Sequence, residues 1–317
     1  MKQLRKEKNM FAETMFSARK PAWGGMGVTV KEAPTSAEAI RLAGLDWTVR
    51  QEKAYMADGT EIPDCFVNIR SSDNKPLGIV GKKYKIVQNP EAFIFTDALL
   101  GEGVRYETAG SLKGGKVIWL LAKLPDKYKI LGEPVDPYVV FTNTHDGSGS
   151  VRVAATPVRV YCSNTLNLSL RTAKRVWSAR HTGSVTNKLD EAMETLELAD
   201  KYMKATQVVF EDLYKVKLDD NKMRKLLSDL IPLDPQMSSK AETNAKTVRF
   251  DIMTRYFEAP DLKPLEQTGA RFIQAVADTV DHMEPLRRTN NYEENHFKKT
   301  LEGNELLDKA VEIVLAA

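Results

Sequence analysis

Histidine and cysteine are scarce in this chain, with four His and two Cys among 317 residues. Cys65 and Cys162 lie far apart and outside any CxxC spacing, so a paired-cysteine metal motif is excluded and a reduced, cytoplasmic chain is expected. The hydrolase and zincin signatures GxSxG and HExxH are absent, so no nucleophile or metal site is spelled out. Catalytic residues, a resident metal and a cofactor are accordingly not expected. No apolar run approaches the ~18–20 residues that a membrane span needs. The start, MKQLRKEKNMFAETMF, is basic but has no apolar h-region, so neither a secretory signal nor a membrane role is expected.

The most telling deficit is local. From Gly147 to Leu189 the chain runs 43 residues without an Asp or Glu. The same stretch holds Arg152, Arg159, Arg171, Lys174, Arg175, Arg180 and Lys188, with Tyr161, Trp177 and His181 interleaved. The whole chain is nearly balanced, 46 basic residues against 43 acidic, so positive charge is concentrated here. A positive field beside aromatic rings suits a polyanion with stackable bases. The competing reading is a solvated face whose Arg and Lys stems cover apolar surface, or a patch that docks on the acidic segment 189–200.

The chain changes character near residue 185. Before it, short β-type segments dominate: Phe66 to Ile69, Leu77 to Val87, Val117 to Leu121, Tyr138 to Phe141, and Val151 to Cys162, the last read as interrupted at Pro157. Gly114-Gly115 supplies a turn between Val104–Gly110 and Val117–Ala122, which predicts a hairpin. Asn89-Pro90 opens a helix to Leu100, with Asn89 as its cap and Pro90 at the first position. Leu166, Leu170, Ala173 and Trp177 fall at i, i+4, i+7 and i+11, which predicts a helix from Ser163 or Asn164 to about Arg180. Arg171, Lys174 and Arg175 project from another face, and Trp177 is read as core rather than as a base platform.

Further helices follow. Leu189, Met193, Leu196, Ala199 and Met203 make one apolar face, with Asp190, Glu191, Glu194, Glu197 and Asp200 on the exposed side. Asp219 or Asp220 caps a helix that stops before Pro232, residues 233–242 read as a loop, and helices are expected at about 243–258, 267–284 and 304–316. The expected fold is α+β: an N-terminal tail over 1–20, an antiparallel β-rich domain with a packed basic helix over 21–185, and a helical region over 186–317.

Three short motifs are weighed against ordinary structure. Gly110 to Val117 nearly spells a phosphate-binding loop, but Val117 stands where a Ser or Thr must hold Mg²⁺, and the segment leads into a strand rather than a helix. A hairpin turn is the better reading, with Lys113 and Lys116 at its tip placed to touch phosphates. His145-Asp146-Gly147-Ser148-Gly149-Ser150 is a polar, Gly-rich loop. It suits close approach of backbone amides to phosphate, while His145 and Asp146 lack a third ligand at a recognisable spacing. Asp278, Asp281 and His282 close a helix, where capping and packing explain them.

Several segments resemble a phage- and plasmid-encoded family known mainly as a domain of unknown function. The residues that carry this are Trp23-Gly24-Gly25-Met26-Gly27, Thr144 to Ser148, Pro157-Val158-Arg159-Val160-Tyr161-Cys162-Ser163-Asn164-Thr165-Leu166, and Ala275 to His282. The family often has Pro-Trp-His-Gly at its start, where this chain has Ala22-Trp23-Gly24-Gly25, so that segment lacks a histidine. The resemblance implies a mobile-element origin and a bacterial host cytoplasm. By fold-level analogy it also resembles phage single-strand annealing recombinases, in which a curved sheet packs on a helix and single strands lie in a basic groove.

The function expected is therefore single-stranded nucleic-acid binding and annealing by a homo-oligomer, without covalent chemistry. The residues expected to bind are Arg152, Arg159, Arg171, Lys174, Arg175, Arg180, Lys113 and Lys116, with Tyr161 stacking. The alternatives are a protein-interaction module that captures a host protein, and a metal-dependent nuclease using His145 and Asp146.

Overall fold

Short β-type segments fill most of the first half of the chain, and strands form there. The computed structural model describes residues 12–18, 28–100, 105–124, 128–159, 168, 176–182, 189–283 and 303–317. The strands are β1 (Ala12–Ala18), β2 (Val28–Val30), β3 (Val49–Tyr55), β4 (Glu61–Arg70), β5 (Lys75–Gly81), β6 (Tyr106–Leu112), β7 (Val117–Lys123), β8 (Tyr128–Ile130), β9 (Glu133–Thr144), β10 (Val151–Arg159) and β11 (Val176–Ala179). Helices α1 (Ser36–Leu42) and α2 (Asn89–Leu100) lie among them. Then follow α3 (Leu189–Lys215), α4 (Asp220–Leu230), α5 (Ser239–Glu258), α6 (Gly269–His282) and α7 (Glu305–Leu315). The chain is thus α+β, β-rich first and helical later.

The main sheet runs β11-β10-β9-β7-β6-β1-β2, with β8 also on β9, and β3-β4-β5 form a separate three-stranded sheet. Pairing is antiparallel except between β1 and β2. Because side chains alternate across a strand, the register sorts residues into rows. One row, Trp177-Val153-Phe141-Leu120-Ala109-Phe16, faces the helices. The next row, Ser178-Arg152-Thr142-Trp119-Gly110-Met15, lies on the opposite face. Ala39 and Ala43 at α1, Phe93 and Phe95 of α2, and Ala199 and Tyr202 of α3 complete the first core.

A second core sits among the helices: Met223, Leu226 and Leu230 of α4, Phe272, Ile273 and Val276 of α6, and Leu307 and Val314 of α7. Helix α3 serves both cores, with Ala199 and Tyr202 in the first and Phe210 and Leu213 in the second. A change of character near residue 185 is therefore a real change of secondary structure, but the two halves share one long helix.

Four local expectations are corrected. Residues 176–179 are strand, not the end of a helix. Val176 to Ala179 pair with β10 and expose alternate residues, so Trp177 enters the core beside Phe95 (centroids 6.2 Å apart) by strand rather than helical spacing. An apolar residue at a single position satisfies either period, and tertiary pairing decides. The remainder of the expected helix, with its basic face, lies outside the described residues apart from Leu168.

Strand β10 also continues through Pro157, which faces Pro137 of β9. A proline without an N–H is tolerated because β11 pairs only with Val151 to Ala154, so Pro157 lies beyond the reach of that outer neighbour. Strand β5 stops at Gly81, where Tyr84 N–H bonds the Gly81 carbonyl (2.9 Å) and turns the chain. Finally, Asn89 does not cap α2. Its side-chain amide donates to the carbonyls of Leu45 and Trp47 (3.0 and 3.2 Å), while Gln88 takes the capping place by accepting from Ala92 N–H and is held by Glu91.

The hairpin expectation holds. Strands β6 and β7 are joined by Lys113, Gly114 and Gly115, all with positive φ (53, 69 and 89°). Asp219 caps α4 by accepting from Lys222 N–H (2.8 Å), and that helix ends before Pro232. The remaining helices match with shifted ends: α5 begins at Ser239, inside the expected loop, and α6 and α7 lie within their expected spans.

Candidate functional site

Several antiparallel turns put their ends on one side of the main sheet. The β9–β10 loop (145–150), the start of β10, the residues after β11, the turn after β5 and the β6–β7 hairpin tip all meet there. Val117 pairs with Thr144, and His145 N–H bonds the Lys116 carbonyl at 2.7 Å, which ties the hairpin to the loop. A cleft of about 640 Å³ opens at this end. Its cations are Lys83, Arg152 and Arg180, and Gly147 to Ser150, Tyr84 and His181 also line it. Among the described residues no Asp or Glu lines it.

The walls are held by bonds that the residue types explain. The His181 carbonyl accepts from Lys85 N–H (2.7 Å), and its ring Nδ1 bonds the Lys85 carbonyl (3.1 Å), which requires that nitrogen to carry the proton. Its ring stacks on Tyr84, 4.5 Å between centroids. The Tyr84 hydroxyl donates to the Thr144 carbonyl at 2.5 Å, and burial pushes its ionisation well above the ordinary tyrosine range, so it stays a donor. Asp146, next to the cleft, turns its carboxylate onto the Ser148 N–H and hydroxyl (2.9 and 2.6 Å), which folds the loop as an Asx turn. Gly78 of β5 lets the loop seat itself: a Cβ there would lie 2.5 Å from Asp146 Cα.

His145 works inside the protein. It is fully buried, its Nε2 lies 2.9 Å from Asn89 Oδ1, and its carbonyl accepts from Asn68 (2.6 Å). Its ring meets Trp47 edge-on at 5.4 Å. Burial drives its pKa down to about 3, so the ring is neutral at ordinary pH. The geometry gives His145 a bracing role among α2, β4 and the loop, and turns it away from any ligand in the cleft. Among the described residues no group of three His, Cys, Asp or Glu side chains is arranged to hold a metal ion. At the other candidate cluster, Asp278 ion-pairs with Arg255 and stands 3.8 Å from His282, a helix-packing arrangement.

Of the residues expected to bind, Arg152 and Arg180 line the cleft. Lys113 and Lys116 lie at the neighbouring hairpin tip, where Lys75 reaches across Gly114. Arg159 ends β10 at the opposite end of that strand, paired with Val135. Tyr161, Arg171, Lys174 and Arg175 lie outside the described residues. Sequence reasoning missed Lys83 and Tyr84, which come from the β5–α2 turn far away in the chain. The adjacent lysines after Gly81 were the only available signal.

One anchor is visible within the basic stretch. The Tyr202 hydroxyl of α3 accepts from Leu168 N–H (2.7 Å) and donates to the Leu168 carbonyl (2.9 Å), and the Leu168 side chain enters the helical core. Tyr202→Phe should leave both buried backbone groups unsatisfied and cost about 2 kcal/mol. A urea-denaturation midpoint unchanged from wild type would refute this.

The fold and cleft define an α+β protein with a cationic cleft at one end of a mostly antiparallel sheet. The family model described as Domain of unknown function (DUF932) matches residues 76–301. That span covers well over half the chain, and the protein belongs to this family. It runs from within β5 to beyond α6 and takes in every described cleft residue. No curated protein and no solved structure shows significant similarity to the chain. Among the described residues no helix is long and apolar enough to cross a membrane.

Proposed function

We propose that this protein binds single-stranded nucleic acid through the cleft at the end of its main sheet, as a strand-annealing recombination protein of a mobile element. One observation carries the reading: three cations from three separate segments, Lys83, Arg152 and Arg180, line a Gly- and Ser-rich cleft in which no described residue is acidic. Phosphate oxygens accept from such cations and from Ser hydroxyls and loop amides, contacts that position a strand without reading its sequence. Lys113 and Lys116 at the hairpin tip extend the positive edge; Arg159, at the opposite end of β10, stands apart from this cleft, and Tyr161, Arg171, Lys174 and Arg175, outside the described residues, are counted as nucleic-acid contacts on sequence pattern alone. Annealing requires only that two strands be neutralised and held with base edges exposed. A homo-oligomer would repeat the cleft along a strand.

The test is fluorescence anisotropy of a labelled single strand of ~40 nucleotides, long enough for several binding units, with duplex as control, across a salt series. Three phosphate contacts should give a slope of log K against log salt of about −2, and additional contacts a steeper one. Arg152→Ala/Arg180→Ala should weaken binding at least ~10-fold, because a hydrogen bond to a charged group contributes about 1.5 kcal/mol or more. Circular dichroism of the variant should match wild type. Absence of binding at low salt, or a flat salt dependence, would sink the proposal.

A further inference from the structure

The helical half contains a buried arginine that no carboxylate among the described residues neutralises. Arg271 lies in the first turn of α6 and is 8% exposed. Its guanidinium sits 5.0 Å over the Tyr256 ring and reaches the carbonyls of Glu266 and Phe257 at 3.3 and 3.4 Å. Charge-assisted bonds are ordinarily about 2.7–2.9 Å, so these are loose. Its Nε is buried without a hydrogen-bond partner. A buried charge normally requires a counter-charge.

The surroundings carry charge of both signs, with one cation in excess once Arg271 is counted. Arg271 lines a cleft of about 610 Å³ together with Lys217, Asp219, Lys222 and Glu266. Of the two acids there, one is ion-paired and the other caps a helix while keeping its charge, so three cations stand against two carboxylates. Glu266 pairs with Lys217 at 2.8 Å, and Asp219 caps α4 through Lys222 N–H. That leaves Lys222 and Arg271 without an ion-pair partner among the described residues. Both stand in the first turns of their helices, α4 and α6, where the dipole already presents positive charge and a cation is disfavoured. Two helix N-termini and two unpaired cations therefore face one opening. The α3–α4 connection and the start of α6 are held together around it by Leu218 N–H to the Gln267 carbonyl and Gly269 N–H to the Val216 carbonyl, both 2.9 Å.

We propose that this cleft binds a phosphate group, with Arg271 as the planar donor fork and Lys222 as the second charge. A phosphate monoester offers three strong acceptor oxygens and nearly two negative charges, which suits two cations that have no ion-pair partner among the described residues. The site is separate from the cleft at the end of the sheet and does not depend on that proposal. The phosphate comes either from a small phosphorylated molecule or from the end of a nucleic-acid strand.

The experiment is thermal unfolding of the full chain in rising inorganic phosphate at fixed ionic strength, balanced with chloride. A saturable rise in Tm with phosphate, absent with chloride alone, is expected. Lys222→Ala, a substitution at an exposed position, should keep the fold and weaken the phosphate response roughly fivefold. Arg271→Met, which keeps the length of the side chain without its charge, should unfold no earlier than wild type without phosphate and lose the response. No phosphate-specific rise in wild type, or the same rise in wild type and Lys222→Ala, would overturn the proposal. A parallel arm compares 5′-phosphorylated with 5′-hydroxyl oligonucleotides. A preference for the phosphorylated end that disappears in Lys222→Ala supports the site and assigns the phosphate to a strand end. A response to free phosphate with no such preference supports the site and assigns it to a small molecule.

Discussion

Gly110→Ala should destabilise the protein by about 3 kcal/mol, the upper range for forcing extra carbon into a packed interior. Gly110 sits in β6 between Met15 of β1 and Trp119 of β7, in the row that includes Arg152. The edge of the Trp119 indole occupies the space where a side chain would stand, and Trp119 is fully buried. A Cβ would collide with the indole and also with the Thr14 carbonyl, while Met15 Cβ would be 2.7 Å away. One of these neighbours is backbone, so the clash cannot be relieved by rotating a side chain, and β1 must shift from β6. The double variant Gly110→Ala/Trp119→Phe should therefore recover little of the loss. Gly59→Ala makes a useful control: nothing lies within 4 Å of its Cβ, and only its φ of 86° is unfavourable, so about 1 kcal/mol is expected. Urea-denaturation midpoints measure all three. A Gly110→Ala midpoint equal to that of Gly59→Ala would refute the packing account.

The sequence was most legible where one residue type has one structural use. Gly114-Gly115 announced the hairpin because the turn needs positive φ, and Asp219 announced a helix start because a short acceptor side chain suits that position. Trp177 was misread because one large apolar residue fits a helix stripe and a strand alike. What settles it is Val153 on the neighbouring strand and Phe95 on a helix, neither of them near in sequence. Asn89 was misread for a related reason: before Pro90 it has the chemistry of a cap, yet its amide is spent on Leu45, Trp47 and His145, contacts made only once the chain has folded. The candidate cleft was half legible. Its loop and Arg152 and Arg180 lie inside the acid-free stretch, where charge pattern alone selects them. Lys83 and Tyr84 join from the turn after β5, and no local pattern can report that a separate three-stranded sheet places them beside Ser150.

The same Asn89 contact leads to the second large effect, a loss of stability on mild acidification that depends on His145. Asn89 donates its amide to two carbonyls, so its Oδ1 faces the imidazole and the Nε2 of His145 must carry the proton. The other ring nitrogen, Nδ1, is buried with no hydrogen-bond partner. A second proton would have to sit there, without an acceptor and out of water, and the nearby His181 opposes it further; hence the pKa of about 3 in the folded protein. In the unfolded chain the same ring titrates near the ordinary value of 6.5. Between these limits the unfolded state binds one proton more, so its stability relative to the folded state rises as pH falls. The contribution is fully present above pH 6.5 and is lost progressively toward pH 3, at about 1.4 kcal/mol per pH unit at its steepest. From pH 6.5 to 4.5, largely above the carboxylate titrations, roughly 2 kcal/mol should disappear. His145→Gln keeps a side-chain donor for Asn89 but does not titrate. Such a variant should be somewhat less stable at pH 7 and much less sensitive to acid, so the two stability curves converge as pH falls. Urea titrations at half-unit steps give both curves. Parallel curves over this window would mean that the His145 ring takes up its proton without loss in the folded state, and that the buried, neutral ring described here is wrong.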